Sequence, residues 1–190
     1  MQAFWIQTFA LVFLRVADMG ITFAASPDLG WEMNPLVSLA GLGWGALILS
    51  NVLGVALIVF FYRYAYGFTY SGFPQSSGYS FKQFISYYLF NDAESFNKIY
   101  YVVPYNKRAI IEYCGYVAIR VVSTWSFFVV AHNLLVWQSP VYRTAMASGK
   151  LWVSLYGLLV FLVLAYSFLF FVNLYRRYRG NTLSANVEKG

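Results

Sequence analysis

The sequence LWVSLYGLLVFLVLAYSFLFFVNLY, residues Leu151–Tyr175, contains no charged side chain and is bounded by Lys150 and Arg176. An α-helix needs about 20 mainly apolar residues to cross the hydrocarbon layer of a bilayer, so this stretch is long enough to span one. Three further stretches also qualify: Ala3–Ala25, Pro35–Tyr62 and Ala109–Trp137. The pattern predicts an all-α integral membrane protein whose four transmembrane helices form a single membrane domain over residues 1–190.

The composition excludes the other broad protein classes. Hydrophobic residues make up 60% of the chain and charged residues 11%, whereas soluble domains carry about 25% charged residues. An aromatic content of 22% excludes a disordered chain, because disordered chains are poor in aromatic side chains. A single cysteine, Cys114, and a single histidine, His132, exclude a disulfide framework or a zinc finger within the chain.

The distribution of basic residues predicts the orientation in the membrane. With a cytoplasmic N-terminus, nine lysines and arginines outside the spans lie on the inner side and two lie on the outer side. Such a bias follows the positive-inside rule and places both termini in the cytoplasm, or in the matrix of a mitochondrion. Trp31, Trp137 and Trp152 fall at the outer ends of spans, as expected for an interfacial aromatic belt.

The long inner loop, residues 63–108, contains a short helical pattern. Apolar residues recur at helical spacing over Ser80–Phe90, with Ser80 as the expected N-cap and Asn91 near the end. This amphipathic helix lies either in the headgroup plane or against the ends of the spans, and its pattern fits both arrangements. A weaker helical turn is expected over Asp92–Tyr101. The C-terminal segment 176–190 is a polar tail, and its part Gly180–Gly190 is expected to be loose.

Ionisable residues inside the spans are the main functional candidates. Arg15, Asp18 and Thr22 have the spacing that places them on one face of the first helix. Charged groups at membrane depth are costly and often functional, but an Arg–Asp pair one turn apart can also simply neutralise itself. Arg120 in the third span adds a second cation, which a lipid phosphate, a substrate anion, Glu32 or a partner subunit could compensate, unless it reaches water.

The turn after the first span completes this predicted polar cluster. The sequence Gly30-Trp-Glu32-Met-Asn34-Pro35 allows Asn34 to cap the second helix, with Pro35 in its first turn and Glu32 near the positive end of its dipole. The same oxygens could instead bind a cation or relay a proton. His132, near the outer end of the third span, is expected to be a hydrogen-bonded structural residue or one ligand of a shared site.

These motifs carry a family resemblance. Asp18-Met-Gly-Ile-Thr22, followed by Gly30-Trp-Glu32-Met-Asn34-Pro35 and a glycine-rich helix, resembles an uncharacterised family of small prokaryotic polytopic membrane proteins, a domain of unknown function. The resemblance covers residues 10–60 and implies a shared helical hairpin without a known activity. The family often has lysine where this chain has Asn51, and it lacks an insertion like 64–108.

Two further sets of residues have predicted structural roles. Small residues in the second span predict close helix packing, within the bundle or towards a partner: Gly41, Gly45, Ala46, Ser50 and Gly54. The basic cluster after the fourth span predicts contact with anionic lipid headgroups through Arg176, Arg177 and Arg179.

The sequence lacks the recognised enzyme signatures, such as a nucleophile elbow, a zinc-protease motif, a Walker loop or a dinucleotide fingerprint. The leading hypothesis is a non-catalytic accessory or structural subunit of a larger membrane complex. The alternatives are a small ion- or proton-linked carrier built on Asp18, Glu32 and Arg120, and a lipid-modifying enzyme that uses His132. Expected partners are membrane lipids and other membrane subunits rather than nucleic acid, and the sequence identifies no cofactor.

Overall fold

The computed structural model describes residues 2–29, 40–67, 74, 78–102, 104, 106–147 and 150–187. The protein is all-helical, and its described residues contain no strand. The α-helices are α1 Gln2–Ala25, α2 Trp44–Gly67, α3 Phe81–Phe90, α4 Lys107–Gln138, α5 Pro140–Ala147 and α6 Lys150–Val187, and a 3₁₀-helix covers Phe96–Tyr100. Four of them, α1, α2, α4 and α6, are long and apolar enough to cross a membrane, as the sequence predicts.

The second long helix begins later than predicted. It starts at Trp44 rather than at Pro35, and residues 40–43 are not helical. Gly41 has a φ of +64°, in the left-handed region that glycine adopts without a steric penalty. A helix running without interruption from Pro35 is therefore wrong. The predicted cap at Asn34, like Glu32, lies outside the described residues.

The C-terminal segment also differs from the prediction. Helix α6 continues to Val187, through most of the segment 180–190 that was expected to be loose. No proline follows Tyr175, and a single glycine, Gly180, costs only about 1 kcal/mol within a helix, so nothing stops the helix at the end of the apolar stretch.

A short helix that the span pattern did not predict follows α4. Helix α5 begins at Pro140, and the Ser139 hydroxyl accepts a hydrogen bond from the backbone N–H of Tyr142 at 3.2 Å. Proline in the first turn after a capping serine is a standard helix start. The signal was present in the sequence, but the segment is too short and too polar to register as a span.

Helix α3 has the bounds and caps that its sequence predicts. Ser80 and Gln83 form a capping box, in which the Ser80 hydroxyl accepts from the Gln83 N–H at 3.3 Å and the Gln83 side chain accepts from the Ser80 N–H at 3.1 Å. Asn91 ends the helix with a φ of +56°, a conformation that asparagine tolerates better than most residues. The 3₁₀-helix lies inside the turn predicted over Asp92–Tyr101.

The chain divides into two compact units. One consists of Met1–Phe60 with Ala118–Leu164, and the other of Phe61–Val117 with Ala165–Gly190. The first unit contains α1, most of α2 and the C-terminal part of α4. The second contains α3, the 3₁₀-helix and the adjoining parts of α2, α4 and α6. Each unit has its own cluster of buried polar side chains, and these clusters are the candidate sites.

Candidate functional site

The centre of the first unit is an ion pair inside α1. Arg15 Nη1 lies 2.9 Å from Asp18 Oδ2, one turn along the same helix, as the spacing of the two residues predicts. The side chains are 20% and 12% exposed, so both charges are largely removed from solvent. A pair of this kind is stable in an apolar setting only when additional hydrogen bonds satisfy the remaining donors and lone pairs.

Helix α2 supplies the second partner of Arg15. Asn51 Oδ1 accepts hydrogen bonds from Arg15 Nε, at 2.9 Å, and from Arg15 Nη2. The Asn51 amide nitrogen donates to the Leu47 carbonyl of its own helix at 2.8 Å, which turns its oxygen towards the guanidinium. Asn51 is buried. Its hydrogen bonds with the Arg15 guanidinium join α2 to α1 through a charged donor.

Helix α4 supplies the remaining partners. Arg15 Nη1 donates to the Ser126 hydroxyl at 3.4 Å, and Ser126 is fully buried. Two turns further along α4, Asn133 Nδ2 donates to Asp18 Oδ1 at 2.9 Å and to the Thr22 hydroxyl at 3.3 Å. We call the six residues the Arg15 network: Arg15, Asp18, Thr22, Asn51, Ser126 and Asn133.

The sequence predicts the members of this network on α1 but not those on α2 and α4. It identified Arg15, Asp18 and Thr22 from their spacing, but it gave no role in the cluster to the partners on α2 and α4. The available signal was chemical: Asn51 and Asn133 are amides within long apolar helices, where a polar side chain typically hydrogen-bonds to another helix. Which helix each one would meet depends on tertiary packing.

The other predicted members of the polar cluster are placed differently. His132 Nδ1 shares a hydrogen bond of 2.9 Å with the Tyr142 hydroxyl of α5, and the two rings meet edge to face. Arg120 is half-buried in α4 and has an interaction partner. Glu32 and Asn34 lie outside the described residues, so the described contacts cover only part of the predicted cluster.

Helices α2 and α4 approach closely at Gly115, which lies outside the predicted stripe of small residues. A Cβ added to Gly115 of α4 would lie 2.4 Å from the Phe61 carbonyl oxygen and 3.0 Å from the Ala65 Cβ, both on α2. In contrast, a Cβ at Gly45 or Gly54 would meet no described atom within 4 Å. Gly45 and Gly54 therefore do not pack closely against the described part of this chain, Gly41 precedes α2, and packing of the stripe towards a partner stays a prediction.

The remaining stripe residues, Ala46 and Ser50, lie within α2. Ala46 and Ser50 are half-buried, and the Ser50 hydroxyl donates to the Leu47 carbonyl of its own helix at 2.9 Å.

The second unit contains a buried carboxylate that holds α3 in place. Glu112 of α4 is 7% exposed; its Oε2 accepts from the Tyr88 hydroxyl at 3.0 Å, and its Oε1 lies 3.3 Å from Arg108 Nε. The Asn106 side chain donates to the Tyr88 carbonyl at 3.0 Å, just before α4 begins. These contacts fix α3 against the start of α4.

Aromatic rings join α3 to α6 in the same unit. Phe84 stacks on Tyr178 with ring centroids 5.0 Å apart, and Phe81 meets Tyr175 edge to face at 5.3 Å. The Tyr178 hydroxyl accepts from the Tyr79 N–H at 3.2 Å. Of the two arrangements predicted for this helix, the structure contains the contacts of the second, in which α3 packs against the ends of long helices.

The basic cluster near the end of α6 is exposed. Arg176, Arg177 and Arg179 all present their side chains at the surface. Arg176 and Arg179 line a shallow groove with residues of α3 and α6, whereas Arg177 does not belong to that lining.

Metal-ligating side chains do not cluster in the described part of the chain. No group of three His, Cys, Asp or Glu side chains there could hold a metal ion. Searches of protein-family models, curated proteins and solved structures found no match to this chain. The resemblance of residues 10–60 to the small prokaryotic membrane family thus rests on the quoted motifs alone.

Proposed function

We propose that this chain is a multi-pass membrane protein without catalytic activity that serves as an accessory or structural subunit of a larger membrane complex. Four transmembrane helices would be α1, α2, α4 and α6, with both termini on the cytoplasmic or matrix side. The orientation follows from the excess of basic residues on that side.

The Arg15 network carries the proposal. Arg15 is paired with Asp18, and the guanidinium also donates to Asn51 and Ser126, while the second carboxylate oxygen accepts from Asn133. Opposite charges cancel within one turn, and the hydrogen bonds run between three helices. A network closed in this way stabilises helix association in lipid, where apolar burial supplies no driving force.

The outer surfaces of the long helices support a role in assembly. The share of residues buried in the most apolar stretch of each helix is 11% in α1, 6% in α2, 28% in α4 and 11% in α6. Large side chains such as Phe9 and Phe13 are 72% and 59% exposed, and their rings stack 6.2 Å apart. Such a surface needs a lipid or protein partner, because the exposure of large apolar patches to water is unfavourable.

Extraction in a mild detergent followed by a native mass measurement tests the proposed assembly. We expect a particle well above the mass of one chain of 21.7 kDa plus its micelle, with co-purifying membrane proteins. A single chain in a micelle, recovered from native membranes at the lowest detergent concentration that extracts it, would contradict the proposal.

The competing carrier hypothesis makes a different prediction. A carrier needs Asp18 to bind and release an ion or proton, but Asp18 already has Arg15 and Asn133 as partners. Proteoliposomes containing the wild type or Asp18→Asn should therefore show equal, background fluxes of protons and alkali cations. Flux that disappears in Asp18→Asn and persists in Ser50→Ala would favour the carrier.

A catalytic role for His132 is tested by an activity assay on a substituted protein. Its Nδ1 already bonds with Tyr142, an arrangement that serves to hold α5 near the end of α4. Any lipid-modifying activity of the purified protein should be unchanged in His132→Gln, and its loss there would support the enzyme hypothesis.

A further inference from the structure

A groove lies between the start of α3 and the last turns of α6. It has a volume of about 330 Å³ and is lined by Phe81, Phe168, Val172, Tyr175, Arg176 and Arg179. A space of this size is at the lower end of the range for small-ligand sites. It suits a headgroup with the first part of an acyl chain rather than a complete lipid.

The wall of the groove is held in a defined conformation. The Tyr175 hydroxyl donates to the Tyr79 carbonyl at 3.0 Å, and its ring packs edge to face against Phe81 at 5.3 Å. Because Tyr175 is fixed at both its ring and its hydroxyl, this part of the wall loses little conformational freedom when a ligand binds.

Charge and apolar surface are segregated along the groove. Phe168, Val172 and Arg179 follow helical spacing on one face of α6, so that Phe168 and Arg179 are roughly 16 Å apart along the helix axis. One end therefore presents apolar side chains and the other presents two guanidinium groups one turn apart, at Arg176 and Arg179. Guanidinium groups bind phosphate oxygens through paired hydrogen bonds.

We propose that this groove binds one anionic glycerophospholipid, with its phosphate between Arg176 and Arg179 and its acyl chain along Val172 and Phe168. The assignment rests on the proposed membrane insertion of α6, whose uncharged stretch Leu151–Tyr175 ends at these arginines, on the side where the proposed orientation places most of the positive charge. A free phosphate would occupy only the arginine end of the groove, whereas a lipid places its phosphate at that end and its acyl chain along the apolar end, which faces the hydrocarbon layer.

Native mass spectrometry of the detergent-solubilised protein, titrated with phosphatidylglycerol or phosphatidylcholine, tests the site. We expect one tightly retained phosphatidylglycerol and weaker retention of phosphatidylcholine. Arg176→Gln and Arg179→Gln should each weaken phosphatidylglycerol binding roughly fivefold, since a basic residue near an anionic lipid surface contributes about 1 kcal/mol. Filling the groove with Val172→Trp should also displace the lipid while leaving every charge in place.

Arg177→Gln is the matched control, because Arg177 is an exposed arginine of the same cluster outside the groove lining. This variant should bind phosphatidylglycerol like the wild type. Equal losses in all three arginine variants, equal retention of the two lipids, or full binding by Val172→Trp would overturn the site in favour of diffuse attraction. Displacement of the lipid by inorganic phosphate at millimolar concentration would also overturn it. Failure of membrane insertion is separate, since the protein would then stay folded and soluble without detergent.

Discussion

Asn51 of α2 accepts two hydrogen bonds from the guanidinium of Arg15 of α1 through a single oxygen, with the Nε bond at 2.9 Å. The asparagine thus completes the solvation of a cation whose charge is cancelled by a third residue, Asp18. Neutralisation and solvation are supplied by different helices, so the Arg15 network requires α1 and α2 to be in contact.

Replacing Asn51 should weaken the protein measurably. In Asn51→Leu the guanidinium loses its acceptor on α2, and an unsatisfied buried donor costs about 1–3 kcal/mol. We expect a loss of that order in the free energy of unfolding, measured by SDS titration in mixed micelles. Ser50→Ala is the control, because that hydroxyl bonds only within its own helix among the described contacts. Equal stability of the two variants would show that Asn51 does not hold α1 and α2 together.

Two glycines of the long helices should respond oppositely to alanine. Gly115→Ala would place a methyl group 2.4 Å from the Phe61 carbonyl oxygen, a backbone atom that cannot move alone, and overpacking of this kind costs about 1–3 kcal/mol. Gly54→Ala meets open space and should be neutral or stabilising by up to about 1 kcal/mol, because alanine favours helix. Thermal unfolding in detergent measures both. A destabilised Gly54→Ala monomer would contradict the described packing.

The docking of α3 should depend on one hydroxyl group. Tyr88→Phe removes a hydrogen bond to the buried Glu112 carboxylate and should destabilise the attachment of α3 by about 1–3 kcal/mol. We expect faster amide hydrogen exchange over Phe81–Phe90, followed by mass spectrometry. Tyr87→Phe is the matched control, since the contact of Tyr87 with Tyr79 is between their rings. Unchanged exchange in Tyr88→Phe would mean that the aromatic contacts with α6 suffice.

The proposed orientation can be tested with two equally exposed positions. Tyr100, in the inner loop, is 80% exposed, and Val141, at the start of α5, is 81% exposed. In a Cys114→Ala background, a membrane-impermeant maleimide added to intact cells should label Val141→Cys at once and Tyr100→Cys only after permeabilisation. The opposite labelling would invert the topology, and immediate labelling of both would exclude the four-span arrangement.

The pKa of Asp92, in the turn after α3, should lie below the usual value of an aspartate. Asp92 accepts hydrogen bonds from the Ser95 hydroxyl and from the Glu94 N–H, and Lys98 lies nearby; these interactions lower its pKa, the Ser95 bond having the largest effect. The pKa of Asp92 is lower in the folded protein than in the unfolded chain. The contribution of these bonds to the free energy of unfolding is therefore present above the unfolded pKa of about 3.9 and is lost as pH falls through the folded pKa. The pKa of Asp92 can be measured from the pH dependence of its carboxyl chemical shift in isotopically labelled protein. Ser95→Ala should raise the pKa towards its usual value, and an unaltered titration would contradict this cause.

Much of the fold could be predicted because it depends on local chemistry. The four long helices follow from runs of apolar residues, and the bounds of α3 follow from Ser80 and Asn91. The pairing of Arg15 with Asp18 follows from their separation by one turn. Two predictions from local rules were wrong: the start of α2, near Gly41, and the loose segment from Gly180, where α6 continues.

The sequence by itself determined the four long apolar helices, the short helix α3 and the helix face that carries opposite charges, because helical periodicity relates only residues a few positions apart. Tertiary structure alone decided that Asn51, Ser126 and Asn133 complete the network, and that Gly115 rather than Gly54 marks the close approach of two helices. These contacts join residues far apart in the chain. They depend on how helices rotate and slide against one another, which no single helix encodes.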